Sequence, residues 1–106
     1  MDSWPSFAIV FADPEGIEAH HVFTAARIEV GRQAGNDLVL RDITVSRKHC
    51  AFEWRSDSGT PELYVTDLGS GGGVFRNGQR IGSASVVQHG DKLLIGAVIV
   101  RVEIGA

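Results

Sequence analysis

Apolar and polar positions alternate in short runs along this chain, with a period near two. No segment keeps apolar residues at i, i+3, i+4 and i+7 over three turns, so no helix is predicted. The β-branched and aromatic runs are separated by turn residues about every 8–12 positions, the rhythm of a sandwich or barrel. Phe7 to Phe11 reads as the first strand, ended by Ala12-Asp13-Pro14-Glu15-Gly16; His20 to Phe23 and Ala26 to Val30 follow. Leu38 to Leu40 is a short apolar strand. His49 to Arg55 comes next, with Cys50, Phe52 and Trp54 on one face, and then Leu63 to Asp67. Val74 to Arg76 and Gln79 to Ile81 flank Asn77-Gly78, the dipeptide that most strongly marks a two-residue type I′ hairpin. Gln88 to Asp91 turns the chain into Lys92 to Ile95, and Gly96-Ala97 precedes a closing strand, Val98 to Ile104. The pattern predicts an all-β fold, an antiparallel β-sandwich of about eleven short strands.

With 106 residues the chain has room for one core. The boundaries are read as a tail over residues 1–6, a domain over residues 7–104 and an end at residues 105–106, the whole a piece of a longer protein. A net charge of −3 disfavours a nucleic-acid or anionic-membrane partner, which needs a broad positive field. Basic residues nonetheless gather near positions 41–48 and 76–80. The single cysteine, Cys50, lies in an apolar run and reads as a small core residue rather than a reactive thiol. Cysteine usage and the lack of a signal-like N-terminus or a membrane-length apolar run give an expectation of a soluble, cytoplasmic domain.

Candidate chemistry concentrates between residues 31 and 49. A predicted strand runs into Gly31-Arg32, and a loop from Arg41 to Val45 delivers Ser46, Arg47, Lys48 and His49. Guanidinium, hydroxyl and ammonium donors on loops, with no nucleophile–base pair beside them, are the equipment of an anion receptor, and a phosphate ester is the natural ligand. Neither catalytic residues nor a cofactor are expected, and the chain reads as no enzyme. His20 and His21 would face opposite sides of a strand and His89 lies far along the chain, so no metal site is expected either. The run Gly69-Ser70-Gly71-Gly72-Gly73 lacks the Gly-Lys-Ser/Thr ending and following helix of a P-loop. Nor is it a hydrolase elbow, which needs a strand-to-helix turn and partner His and Asp residues.

Taken together, Gly31-Arg32, Val45-Ser46-Arg47-Lys48-His49, Asp67-Leu68-Gly69-Ser70, Asn77-Gly78 and Gly90-Asp91 with Ile95-Gly96 resemble the forkhead-associated (FHA) domain, over roughly Ile9 to Val102. The resemblance implies an eleven-stranded sandwich that binds phosphothreonine peptides with loops at one end. By position, it implies phosphate contacts from Arg32 and Ser46, with Arg47 as a second cation; a salt bridge with Asp42 or Glu53 is an equally good use of Arg47. Gly31 would support the site, and His49 would brace the loop from behind. Ser70, Gly71, Gly72 and Asn77 would belong to the peptide-binding loop or the hairpin after it. Lys48 is expected to be a solvated rim charge.

One departure matters. Members of the family typically carry Ser-x-Asn-Gly-Thr where this chain has Ser70-Gly71-Gly72-Gly73-Val74, so Gly72 replaces the asparagine that fixes the peptide backbone. Two functions therefore stand side by side. One is a phosphothreonine-peptide module for phosphorylation-dependent protein–protein interaction and signalling, with its partner in trans or elsewhere in the parent chain. The other is a degenerate scaffold for phosphate-independent assembly, as in secretion or signalling complexes. The motif style suggests a bacterial source.

Overall fold

A computed structural model describes residues 4–105. Eleven strands form two sheets, with no helix among the described residues. In chain order they are β1 Phe7–Ala12, β2 Glu18–Phe23, β3 Arg27–Gly31, β4 Leu38–Val39, β5 Cys50–Arg55, β6 Glu62–Asp67, β7 Val74–Arg76, β8 Gln79–Arg80, β9 Ala84–Val87, β10 Lys92–Ile95 and β11 Val98–Ile104. One sheet runs β2-β1-β11-β10-β7-β8 and the other β4-β3-β5-β6-β9. All pairs are antiparallel except β3 with β4, where Val30 and Gly31 pair in parallel with Leu38 and Val39. That short parallel ladder departs from the all-antiparallel expectation. The β3–β4 connection does not fold back as a hairpin; it crosses to the sheet edge, where Leu38 inserts into the core. β9 was not singled out from the pattern. Ala84 to Val86 are all half-buried, so the segment shows no alternation.

Alternation explains the core. Ile28 and Val30 of β3, Cys50, Phe52 and Trp54 of β5, and Leu63 and Val65 of β6 face inward from one sheet. Phe7 and Ile9, Leu93 and Ile95, and Val100 and Val102 face them from the other, which is the period-two arrangement of a two-sided sandwich. Burial pushes the Cys50 thiol far above its ordinary pKa, with the nearby Asp67 carboxylate adding to the shift, so it stays a neutral core group.

Strand register sorts the loops to two ends. Val30 pairs with Cys50 and Cys50 with Asp67, so the β3–β4, β4–β5 and β6–β7 loops leave the sandwich together. The β10–β11 turn joins them: the Ala97 N–H donates to Thr44 Oγ1 across 2.7 Å. At the opposite end Phe7 pairs with Ile104, and Gly105 and Ser6 are tied by a 3.0 Å backbone hydrogen bond.

Candidate functional site

Where β3 ends, Gly31 meets the β4–β5 loop too closely for any side chain. A Cβ there would lie 2.1 Å from the Arg47 carbonyl oxygen and 2.9 Å from Asn36 Nδ2. The next residue is clamped in two places. The Arg32 N–H donates to the Ser46 carbonyl (3.0 Å), and Arg32 Nε donates to the Val45 carbonyl (3.0 Å). Using Nε in this way aims the guanidinium and leaves its two terminal nitrogens, four N–H donors, for a ligand. Asn36 secures the same loop by donating from Nδ2 to the Arg47 and Gln33 carbonyls, each at 2.8 Å. Its place in the Gly-Asn-Asp turn was legible, but its grip on Arg47, 11 residues further along the chain, was not.

Ser46 and His49 form the second part. The Ser46 N–H donates to His49 Nδ1 (3.0 Å), which fixes the proton on Nε2, and Nε2–H donates to the Gly73 carbonyl (2.8 Å). The imidazole is fully buried. It therefore links the β4–β5 loop to the glycine loop through both ring nitrogens. On the surface above it, Ser46 Oγ accepts from the Gly71 N–H at 3.2 Å. A hydroxyl that accepts in this way still has its own proton to donate.

Arg47 is exposed and takes part in no ion pair among the described residues. Both carboxylates considered for it are engaged elsewhere. Asp42 Oδ1 accepts from the Thr44 hydroxyl and, at 2.9 Å, from the Thr44 N–H, and these bonds hold its pKa below the ordinary value. Glu53 pairs with Arg55 at 3.3 Å. Lys48, by contrast, is drawn to Glu29 at 2.7 Å, and this bond lowers the Glu29 pKa.

The glycine loop is anchored at both ends. Asp67 Oδ1 accepts from the Ser70 N–H (2.8 Å), and Ser70 Oγ accepts from the Gly73 N–H (2.9 Å). Ser70 thus shapes the loop from within. Gly71 and Gly72 are exposed and would have nothing within 4 Å of a Cβ. Gly73 is buried at φ +76, in the left-handed region, with the Arg80 guanidinium against it.

Asn77 is not brought to this end. β7 carries the chain away from the glycine loop, and Asn77 turns the β7–β8 hairpin at φ 49, followed by Gly78 at φ 87, the type I′ signature. Its amide donates to Asp91 Oδ1 (3.0 Å), and its Oδ1 accepts from the Lys92 N–H (2.9 Å). Placing it with the peptide-binding loop is corrected accordingly: nearness in sequence to Gly73 becomes distance once the strand extends. The histidines are likewise dispersed: His20 pairs with Glu103 at 3.4 Å, His21 stacks on Phe11, and His89 Nδ1 accepts from the Ile104 N–H.

In fold, the chain superposes on the FHA domain of CT664 protein from Chlamydia trachomatis with a TM-score of 0.83 at 23% identity, covering 95% of this chain and 99% of that one. It matches Mycobacterium tuberculosis EmbR, solved in complex with a low-affinity phosphopeptide, with a TM-score of 0.74 at 31% identity, covering 93% of this chain and 25% of that one. In sequence it is 41% identical over 66 residues to the glycogen accumulation regulator GarA of Mycolicibacterium smegmatis, covering 62% of this chain and 39% of that protein. The match thus spans about two fifths of that relative's length. The family profile of the FHA domain matches residues 28–96, more than half of the chain, and includes the stretch from Gly31 to Gly73. The chain belongs to the FHA domain family.

Proposed function

We propose that this domain binds a phosphothreonine segment of a protein partner and thereby makes an interaction depend on phosphorylation. The observation that carries the reading is the clamp on Arg32, whose N–H and Nε are bonded to the Ser46 and Val45 carbonyls of the loop that carries the Ser46 hydroxyl, leaving the terminal nitrogens for a ligand. A phosphothreonine brings about −1.5 to −2 charges and three strong acceptor oxygens, which suits a guanidinium fork and a hydroxyl donor. Arg47, with no carboxylate partner, supplies the second cation. Gly31 and His49 hold the two loops in place, and Ser70 and Gly71 set the path of the glycine loop beside the ligand. Charged hydrogen bonds contribute on the order of 1.5–3 kcal/mol each. Three of them, less ordering costs, approach the roughly −8 kcal/mol of a micromolar complex. EmbR, a structural neighbour, was solved with a phosphopeptide, and GarA is named a regulator; both support an interaction module rather than an enzyme. The bacterial relatives and the lone buried thiol support a role in a bacterial cytoplasm.

Calorimetry with a phosphothreonine peptide library, paired with unphosphorylated controls, tests this. Wild type is expected to bind at micromolar concentration only when the peptide is phosphorylated, and Arg32→Ala is expected to abolish binding. Retained affinity in that variant refutes the assignment. The bare Gly71-Gly72 backbone favours a second reading, phosphate-independent assembly, in which a partner stays bound after phosphatase treatment. Gly72→Asn separates the two. The site has open space for the side chain and no positive φ, so the substitution should tighten phosphopeptide binding about tenfold, one bidentate amide contact. No gain would support the scaffold.

A further inference from the structure

Between Val39 and Cys50 the chain makes no strand, yet this stretch carries Ser46 and clamps Arg32. A turn built on Asp42 gives it shape. Asp42 Oδ1 accepts from the Thr44 N–H (2.9 Å) and from the Thr44 hydroxyl, and the Val45 N–H donates to the Asp42 carbonyl (3.0 Å). Thr44 Oγ1 also accepts, at 2.7 Å, from the N–H of Ala97, a residue 53 positions further along the chain. A hydroxyl has one proton and two lone pairs, so it donates to Asp42 and accepts from Ala97 at the same time.

The β10–β11 turn meets Thr44 along its backbone as well. A Cβ on Gly96, at φ +60, would lie 2.6 Å from the Thr44 carbonyl oxygen and 2.7 Å from Oγ1. One peptide further on, the Val45 carbonyl accepts from Arg32 Nε (3.0 Å). That carbonyl is supported from two sides. Its own peptide carries the Ser46 N–H, which is bonded to His49. The peptide before it is held by its N–H on Asp42 and by its carbonyl against Gly96, while the Val45 side chain is sunk in the core. Planar peptides fixed in this way leave the Val45 carbonyl little room to turn.

We infer that Thr44 is a positioning residue for phosphate recognition: it ties the β4–β5 loop to the β10–β11 turn, holds the Val45 carbonyl where Arg32 Nε meets it, and so aims the guanidinium. This rests on the phosphothreonine reading above and adds to it a residue that acts from outside the site. Thr44 acts through Arg32, since its hydroxyl is already spent on Asp42 and Ala97. Thr44 and Ala97 are both exposed, so water replaces either partner when the other is lost. The link therefore contributes more to the aim of Arg32 than to the stability of the fold.

The test uses wild type, Thr44→Val, Thr44→Ser and Arg32→Ala. Calorimetry with a phosphothreonine peptide is paired with nuclear magnetic resonance of the Arg32 Nε–H group and with urea unfolding. Thr44→Val keeps the shape of the side chain without its hydroxyl. It is expected to weaken phosphopeptide binding about fivefold, the equivalent of one net hydrogen bond, with its urea midpoint close to that of wild type. Its Arg32 Nε–H signal should shift and exchange with water several-fold faster, in the absence of any ligand. Thr44→Ser retains Oγ and should restore both affinity and signal. Wild-type affinity in Thr44→Val, or a loss of affinity with the Arg32 signal unmoved, overturns the inference. The phosphothreonine reading survives that result as long as wild type binds and Arg32→Ala does not. If wild type binds no phosphothreonine peptide, the reading and the inference fall together.

Discussion

Removing the His49 imidazole should separate two loops that nothing else joins in the same way. In His49→Ala the Ser46 N–H and the Gly73 carbonyl both lose their partners, which were at 3.0 and 2.8 Å. Leaving a buried donor or acceptor unmet costs about 1–3 kcal/mol each. The void left by a ring with no solvent exposure adds about 1 kcal/mol if roughly 50 Å³ stays open. The total is about 3–7 kcal/mol, a large fraction of the 5–15 kcal/mol typical of a domain. Urea titration followed by tryptophan fluorescence reads this directly, because Trp54 is buried in the core and stacked on Trp4. At a urea m-value of about 1.5 kcal/mol/M the midpoint should fall by about 2–5 M. Two further variants divide the effect. His49→Asn keeps an acceptor where Nδ1 was and loses the Gly73 link; His49→Gln keeps a donor where Nε2 was and loses the Ser46 link. Both should fall between wild type and His49→Ala. A His49→Ala domain within about 1 kcal/mol of wild type would refute the reasoning, since it would mean that neither group depends on the ring.

Asn77→Ala should cost about 2–4 kcal/mol, since alanine resists the left-handed φ of 49 and the bonds to Asp91 and Lys92 disappear. The same variant should leave the phosphopeptide dissociation constant unchanged, because Asn77 is at the end away from Arg32; a weakened complex in calorimetry would contradict that placement. Asp91 makes a pH prediction. Burial alone would raise its carboxyl pKa, but the Gln88 N–H, the Asn77 amide and the Arg76 guanidinium together hold it below the ordinary value. A depressed pKa contributes stability that is fully present above the unfolded value, near pH 4, and is lost as the pH falls through the folded one. Asp91→Asn should therefore be less stable at neutral pH and show a flatter acid limb in melts from pH 5 to pH 2 than wild type.

Much of this was legible from residues alone, for identifiable reasons. Alternation placed Cys50, Phe52 and Trp54 on one face, and Asn77-Gly78 announced its turn through the positive φ that both positions adopt. Gly31 and Arg32 are separated from Ser46 and His49 only by the short strand β4 and the loop on either side of it, so their grouping needed no long-range pairing. The failures came where strands carry neighbours apart or bring strangers together. Asn77 follows Gly73 by four residues and ends up across the sandwich. Arg80, three residues further on, returns to the glycine loop because β8 runs back along β7. No local pattern encodes that return, since it depends on hairpin register. β9 carries no such signal, because Ala84, Ser85 and Val86 are all half-buried and only Val87 enters the core.

The bond between Gly105 and Ser6 has a consequence for how the domain is mounted in a longer chain. Entry and exit are side by side, so the domain can be spliced into a loop of a host fold or hung from either flank without stretching its own sheets. Both attachment points face away from the arginine-rich end, which is therefore presented outward. A phosphorylated segment of the same chain would have to travel round a body 38 Å in its longest dimension to reach Arg32. That takes about 11 fully extended residues or more, so a shorter tether favours capture of another molecule over self-capture. If the domain captures a phosphothreonine as proposed, tether length would decide whether it closes on its own chain or joins two proteins.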